Sequence, residues 1–357
     1  MRGLPGLCPR GHFAIWRLRA RPEGASSRVQ IPSAVSVRMR LAVLFPGQGS
    51  QYPGMADSWL QHRAGKKVLH RASKALGWDV VEKSRDPEAL KRTDVVQPAI
   101  FACDVAAYSV LRAEGVTFQA AAGHSLGEYA ALVAGGVMDL RRGLRALAVR
   151  ASAMQKASEE NPGAMTALLG LSLEEAREVC SVAGRGDVLA VANENGSKQI
   201  VLSGSVAAIE RAEELARGRG GKTVRLPVAG AFHSPLMDSA VQPVRDAIAR
   251  IDFHTPEFPI VPNASGRPTT QPLVLRDLLG RHVISPVRWE LSLRAMAEMG
   301  IDGFVEAGPG DVLGKLARRA LPESEVRSVG SPDDARALAE ELRRPSATAP
   351  AKESSEL

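Results

Sequence analysis

From residue 41 to 160, short apolar runs alternate with longer stretches whose apolar positions recur at helical spacing. The pattern predicts a strand at Arg40–Phe45, a glycine-rich loop, and helices around 56–77 and 97–114. A second short apolar stretch, Val116 to Ala122, follows, with helices near 126–135 and 139–159 behind it. Strands separated by helices imply a parallel sheet covered on both sides.

The rhythm changes over 163–229. Strand Met165–Leu169, helix Leu173–Val182, strands Val188–Asn193 and Gln199–Ser203, helix Val206–Arg217 and strand Thr223–Leu226 make a βαββαβ order. That order is the ferredoxin-like unit, here inserted as a small subdomain over 161–231. The α/β pattern then resumes. An apolar segment at Phe258–Val261, helices near 273–283 and 290–299, a strand at Gly303–Glu306, a Gly308-Pro309-Gly310 turn and a helix over 311–320 complete it. The expected architecture is α/β, with a discontinuous large subdomain from 39–160 and 232–325.

At 357 residues with 45% apolar and 24% charged positions, the chain has the composition of a folded protein with a substantial core. No run of 18 apolar residues exists, so no membrane-spanning helix is expected. The net charge of +7 would invite nucleic acid, but it is all in residues 1–40, with eight Arg, no Lys and one Glu. Residues 41–357 hold 38 basic and 38 acidic side chains, so nucleic-acid binding loses its main support. The Arg-rich, acid-poor stretch 1–38 reads as a transit peptide or as translated sequence upstream of a start at Met39. Few serines, and prolines at 5, 9, 22 and 32, favour the second, which places the protein in the cytoplasm; the first would place it in a mitochondrion or plastid. Three cysteines without metal or disulfide spacing indicate a reducing compartment. The polar end from 345 reads as disordered.

Candidate chemistry centres on Gly123-His124-Ser125-Leu126-Gly127, a Gly-x-Ser-x-Gly turn between an apolar stretch and a helical run. A sharp strand-to-helix turn exposes a serine hydroxyl, with glycines on either side keeping Cβ atoms away from a substrate. The helix start behind Ser125 offers free N–H groups to a developing oxyanion. Alone the pentapeptide is weak, arising by chance in about one chain in ten of this size. Serine needs a base, and seven histidines are available. His12 lies in the tail, His62 and His70 on a charged helix, and His254 in a proline-rich segment. His124 is expected to point away from its neighbour's hydroxyl. His233 lies at a loop–helix junction opened by Ser234-Pro235, a common place for active groups, and composition alone leaves it base or bystander.

Seven segments occur in order: FPGQGSQYPGM (45–55), VVQPAIF (95–101), GHSLGEY (123–129), RASAMQ (150–155), GAFHSPLM (230–237), SPVRW (285–289) and EAGPGDVLG (306–314). Together they resemble the malonyl-CoA:acyl carrier protein transacylase family of fatty-acid synthesis, over residues 40 to about 320. The resemblance implies an α/β-hydrolase-like core, Ser125 as nucleophile and His233 as general base. It implies an oxyanion hole from the backbone N–H groups of Gln48 and Leu126, and Arg150 as the clamp on the acyl carboxylate. A guanidinium suits that task because it grips a carboxylate through two parallel hydrogen bonds. Without the resemblance, Arg150 ranks no higher than Arg145. The resemblance also assigns Phe232, Gln97 and Asn193 to the substrate pocket, and Phe232 is the form associated with malonyl over methylmalonyl groups in related polyketide acyltransferases. Where this chain has His282 the family usually has Gln, which orients the base through its main-chain carbonyl, a group any residue supplies.

The implied reaction is a two-step transfer needing no metal or redox cofactor, with malonyl-CoA and phosphopantetheinylated acyl carrier protein as partners and a monomeric enzyme. Basic residues within 211–225 are candidates for steering the acidic carrier. A serine esterase or thioesterase is the main rival, but it requires an acidic triad member between residues 125 and 233, and no acid there sits at an obvious strand end. A non-catalytic carrier-docking subunit is the other, and its weakness is that every expected catalytic side chain is present.

Overall fold

The apolar run at the start of the pattern forms strand β1 (Leu41–Phe45), buried at every position, as a strand covered on both faces must be. In the computed structural model, which describes residues 39–228 and 230–344, four more strands lie parallel with it. They are β2 (Ala120–Gly123), β7 (Ile260–Val261), β8 (Gly303–Ala307) and β9 (Glu325–Val329), in the order β7-β2-β1-β8-β9. Successive residues point to opposite faces. Val43, Phe45, Ala121, Ile260 and Val305 therefore enter one core, and Ala42, Leu44, Ala122, Val261 and Phe304 another.

The first core is filled by helices α1 (Arg63–Leu76), α2 (Val80–Arg85), α3 (Thr93–Ala113), α4 (Gly127–Ala134) and α5 (Leu140–Glu160). α3 is long and apolar enough to cross a membrane by length and composition, with mean hydropathy 1.3, yet 78% of that stretch is buried within the fold. It is the central helix of this core, packed against α1, α4 and α5.

Between α5 and residue 226 stands a separate antiparallel sheet. Strand β3 (Gly163–Leu169), helix α6 (Leu173–Gly184), strands β4 (Leu189–Gly196) and β5 (Gln199–Ser205), helix α7 (Val206–Gly218) and strand β6 (Lys222–Arg225) follow one another. The sheet order is β4-β5-β3-β6, and α6 and α7 share one apolar cluster with it. Ser172 caps α6 in a capping box with Glu175, and Ser205 caps α7. The edge strand β4 is tied to the other part of the chain by backbone bonds from Glu194 N–H to Val287 O and from Val287 N–H to Ala192 O, both 2.8 Å.

After β6 come α8 (Val241–Ala249), α9 (Pro272–Gly280), α10 (Trp289–Glu298), α11 (Val312–Ala320) and α12 (Pro332–Arg343). Helices α10 and α11 cover the second core. The expected helix over 273–283 stops at Gly280, and a 3-10 turn, His282–Ile284, follows. β9 and α12 are elements the hydrophobic pattern did not assign. β9 is a charged edge strand with little apolar signal, whereas α12 carries an overlooked start signal in Ser331-Pro332-Asp333-Asp334. Residues 1–38, with Cys8 and His12, and 345–357 lie outside the described residues, so the readings made for them do too.

Register fixes where function can sit. Phe45 lies opposite Gly123, so the loops leaving β1 and β2 emerge side by side at the carboxyl edge of the sheet. The chain passes from β1 to β2 on one side and later to β8 on the other, a switch point at which open α/β sheets hold ligands.

Candidate active site

Ser125 occupies the turn between β2 and α4 in the left-handed region, φ 51, a conformation a non-glycine residue holds only at a cost of about 1–3 kcal/mol. The turn is pressed against the end of β1, with His124 N–H donating to Phe45 O at 2.9 Å. A Cβ on Gly127 would enter the carbonyls of Phe45 and Pro46, and one on Gly123 would enter the backbone of Gly127. Close backbone contact, rather than clearance for a ligand, is therefore what requires these two glycines, which corrects the reason drawn from the motif.

The hydroxyl of Ser125 lies 2.8 Å from Nε2 of His233. His233 is also left-handed, φ 59, and its Nδ1 lies 2.9 Å from Ser285 O and 3.1 Å from His282 O. Carbonyls only accept, so Nδ1 carries the proton and Nε2 is left bare to receive one from the serine. Among the described residues no carboxylate hydrogen-bonds this ring. Burial first, and the nearby Arg150 cation second, pull the His233 pKa down to about 3, so the imidazole is neutral.

Arg150 extends from α5 and is fully buried. Its Nη2 donates to Ser125 Oγ at 2.9 Å and its Nη1 to Gln97 Oε1 at 2.6 Å, while Nε has no partner among the described residues. No carboxylate lies within 4.0 Å of it among the described residues. Gln97, on α3, reaches on to Gln48 Oε1 at 3.4 Å. Neither the Gln48 nor the Leu126 N–H donates to another group among the described residues, which leaves two free donors on the loops that flank the serine.

Among the described residues, no hydrogen bond joins Asn193 or Phe232 to this cluster. Asn193 is bridged through its backbone to Val287, and its Oδ1 is buried without a partner among the described residues. Phe232 is buried in the first core beside His233. The ring of His124 turns away to Asn195, 2.8 Å from its Oδ1, and stands edge-on to Trp289. The basic residues of 211–225 are largely engaged: Arg211 with Asp187, Arg219 with Glu178 and Arg225 with Glu213.

Behind the serine lies a buried group that the sequence reading missed. Asn263, on the loop after β7, accepts from Ser125 N–H at 2.7 Å and donates to Gly123 O at 2.6 Å. Its own N–H donates to Glu128 Oε2 at 2.8 Å. His282 places its imidazole here as well, Nε2 3.3 Å from Asn263 Oδ1. Burial raises the Glu128 carboxyl to about 7, against the opposing pull of the Asn263 N–H and Arg150. Burial and the same guanidinium hold His282 well below the ordinary imidazole value. Only the glutamate carried a signal, two residues into a helix from the motif; Asn263 had none, because its partners lie about 140 positions away in sequence.

The acyl transferase domain family matches residues 43–347. The malonyl CoA-acyl carrier protein transacylase of Escherichia coli K12 is 36% identical over 298 residues, 82% of this chain and 96% of that protein. The solved transacylase of the same name from Coxiella burnetii superposes with a TM-score of 0.84 at 32% identity, covering 87% of this chain and all of that one. A malonyl-transacylase solved in complex with a type II polyketide acyl-carrier protein gives 0.82 at 31% identity, covering 85% of this chain and 99% of that one. The chain belongs to the malonyl CoA-acyl carrier protein transacylase family of acyl transferases.

Proposed function

We propose that the protein moves a malonyl group from malonyl-CoA to the phosphopantetheine thiol of an acyl carrier protein, through a malonyl ester on Ser125, in support of fatty-acid synthesis. The observation that carries this reading is Arg150, a buried guanidinium 2.9 Å from the serine hydroxyl with no carboxylate within 4.0 Å among the described residues. Such a charge is costly unless an anion completes it, and a malonyl thioester brings a carboxylate to that place.

Ser125 Oγ attacks the thioester carbonyl carbon while its proton passes to His233 Nε2. The oxyanion takes the N–H groups of Gln48 and Leu126, each such donor contributing about 3 kcal/mol. Collapse breaks the C–S bond, and His233 returns the proton to the departing CoA sulfur. The carrier thiol then gives its proton to the same nitrogen and attacks the ester, and serine regains its hydrogen as it leaves. Ser285 O and His282 O hold the imidazole throughout, the part a carboxylate plays in a triad. Gln97 aligns Arg150, and Phe232 and Asn193 complete the acyl pocket.

The order β4-β5-β3-β6 with α6 and α7 on one face supports a ferredoxin-like small subdomain over 161–231. The parallel sheet with its serine turn after β2 supports an α/β-hydrolase-like large one.

Steady-state transfer of labelled malonyl groups to a purified carrier protein tests the function. Parallel double-reciprocal lines are expected, with Ser125→Ala and His233→Ala each losing about 10⁴-fold or more. Release of free malonate at a rate rivalling transfer would make the protein a hydrolase instead.

A further inference from the structure

The left-handed backbone of Ser125 has to be held, and its own turn supplies no acceptor for the Ser125 N–H. That acceptor is Asn263 Oδ1, 138 residues away. Asn263 is fully buried and grips the turn at three points: Gly123 before the serine, the serine itself, and Glu128 after it.

We propose that Asn263 is the positioning residue of the nucleophile, holding Ser125 in the one backbone conformation that aims Oγ at His233. The direction of its amide is fixed, because a main-chain N–H only donates and a main-chain carbonyl only accepts. The oxygen must face Ser125 and the nitrogen Gly123. His282 Nε2–H adds a second donor to the same oxygen, which leaves Nδ1 of that ring bare, as its lack of a partner agrees. The charged and titratable groups around the amide are Glu128 on α4, His282 on the turn after α9, and beyond them Arg150 on α5 and His233, whose ring stands edge-on to His282 at 5.3 Å. An ionised aspartate would fail at 263, since it has no donor for Gly123 O and adds a negative charge beside Glu128. A protonated one would succeed, with its O–H to Gly123 and its C=O to Ser125.

The proposal rests on Ser125 being the nucleophile, and not on which acyl group it carries. The test is therefore the rate at which a fluorophosphonate probe labels Ser125 in the full chain, which needs the serine and its base but no malonyl-CoA. Asn263→Ser should label about a hundredfold more slowly than the wild type, the effect of a displacement near 1 Å. Asn263→Asp, close to the native shape, should be slow near about pH 8 and gain rate toward about pH 5 as the buried acid takes up a proton. The wild type should show no such gain. Labelling of both variants within about threefold of the wild type, or an Asn263→Asp profile parallel to the wild type's, would overturn the proposal. Normal wild-type labelling without a malonyl-serine from malonyl-CoA would sink the acyl-transfer reading and leave this one standing.

Discussion

Arg150, buried beside the serine with no carboxylate within 4.0 Å among the described residues, is the group to which the proposed reaction gives the acyl carboxylate. Arg150→Ala should raise KM for malonyl-CoA a hundredfold or more, since charge-assisted hydrogen bonds contribute about 1.5–3 kcal/mol each; initial-rate kinetics would check it. Arg150→Lys should not restore the wild-type value, because an ammonium offers no paired fork. The same cation shapes the pH response. His233 is pulled down to about 3 in the free protein, so kcat/KM should show no acid limb near 6.5. A bound carboxylate neutralises Arg150 and relaxes that pull, so the acid limb of kcat should lie higher than that of kcat/KM. Equal limbs at the ordinary imidazole value would contradict this. Glu128 works in the opposite direction. Its folded value, about 7, lies above its unfolded one, so the folded state holds an extra proton between them and stability falls as pH rises through that window. Glu128→Gln should therefore gain melting temperature over the wild type at about pH 8 and little at about pH 5, read by thermal unfolding.

At the scale of elements, the serine turn exists because two strand ends and one helix start are forced into backbone contact. Gly127→Ala places a methyl into the Phe45 and Pro46 carbonyls, and overpacking of this kind costs about 1–3 kcal/mol. Thermal unfolding should show that loss, and Ser125 should lose reactivity with it, because the turn cannot shift without moving the hydroxyl. Most elements of both sheets were legible as runs of period two or 3.6, since β1 and the helices around it bury whole faces. β9 was not, because an edge strand with Glu325 and Arg327 has no continuous apolar face to display. Site residues divide in the same way. Ser125 carries a local mark in its flanking glycines and His233 one in its Ser–Pro junction, but each mark alone is weak, and the seven ordered segments singled both out. Arg150 has no local mark among the arginines of α5, and only the resemblance singled it out. Asn263 was illegible because its partners come from β2 and α4, and nothing in its own neighbourhood records them.

For the whole molecule, the charge distribution separates the tail from the chemistry. All the net charge of +7 belongs to residues 1–40, while every group assigned to the reaction lies between Phe45 and Ser285. A chain beginning at Met39 should therefore keep the wild-type kcat/KM for malonyl-CoA, and a drop beyond about tenfold would show that the basic segment takes part. The small sheet joins the site through β4, whose backbone bonds to Val287 stand two residues from the Ser285 carbonyl that accepts from His233. Acyl transfer through Ser125 is tested most directly by the mass of the intact protein mixed briefly with malonyl-CoA. One added malonyl group is expected, on the peptide containing Ser125, absent in Ser125→Ala and removed by phosphopantetheinylated carrier protein. A malonyl group on any other residue, or transfer at the wild-type rate by Ser125→Ala, would contradict it.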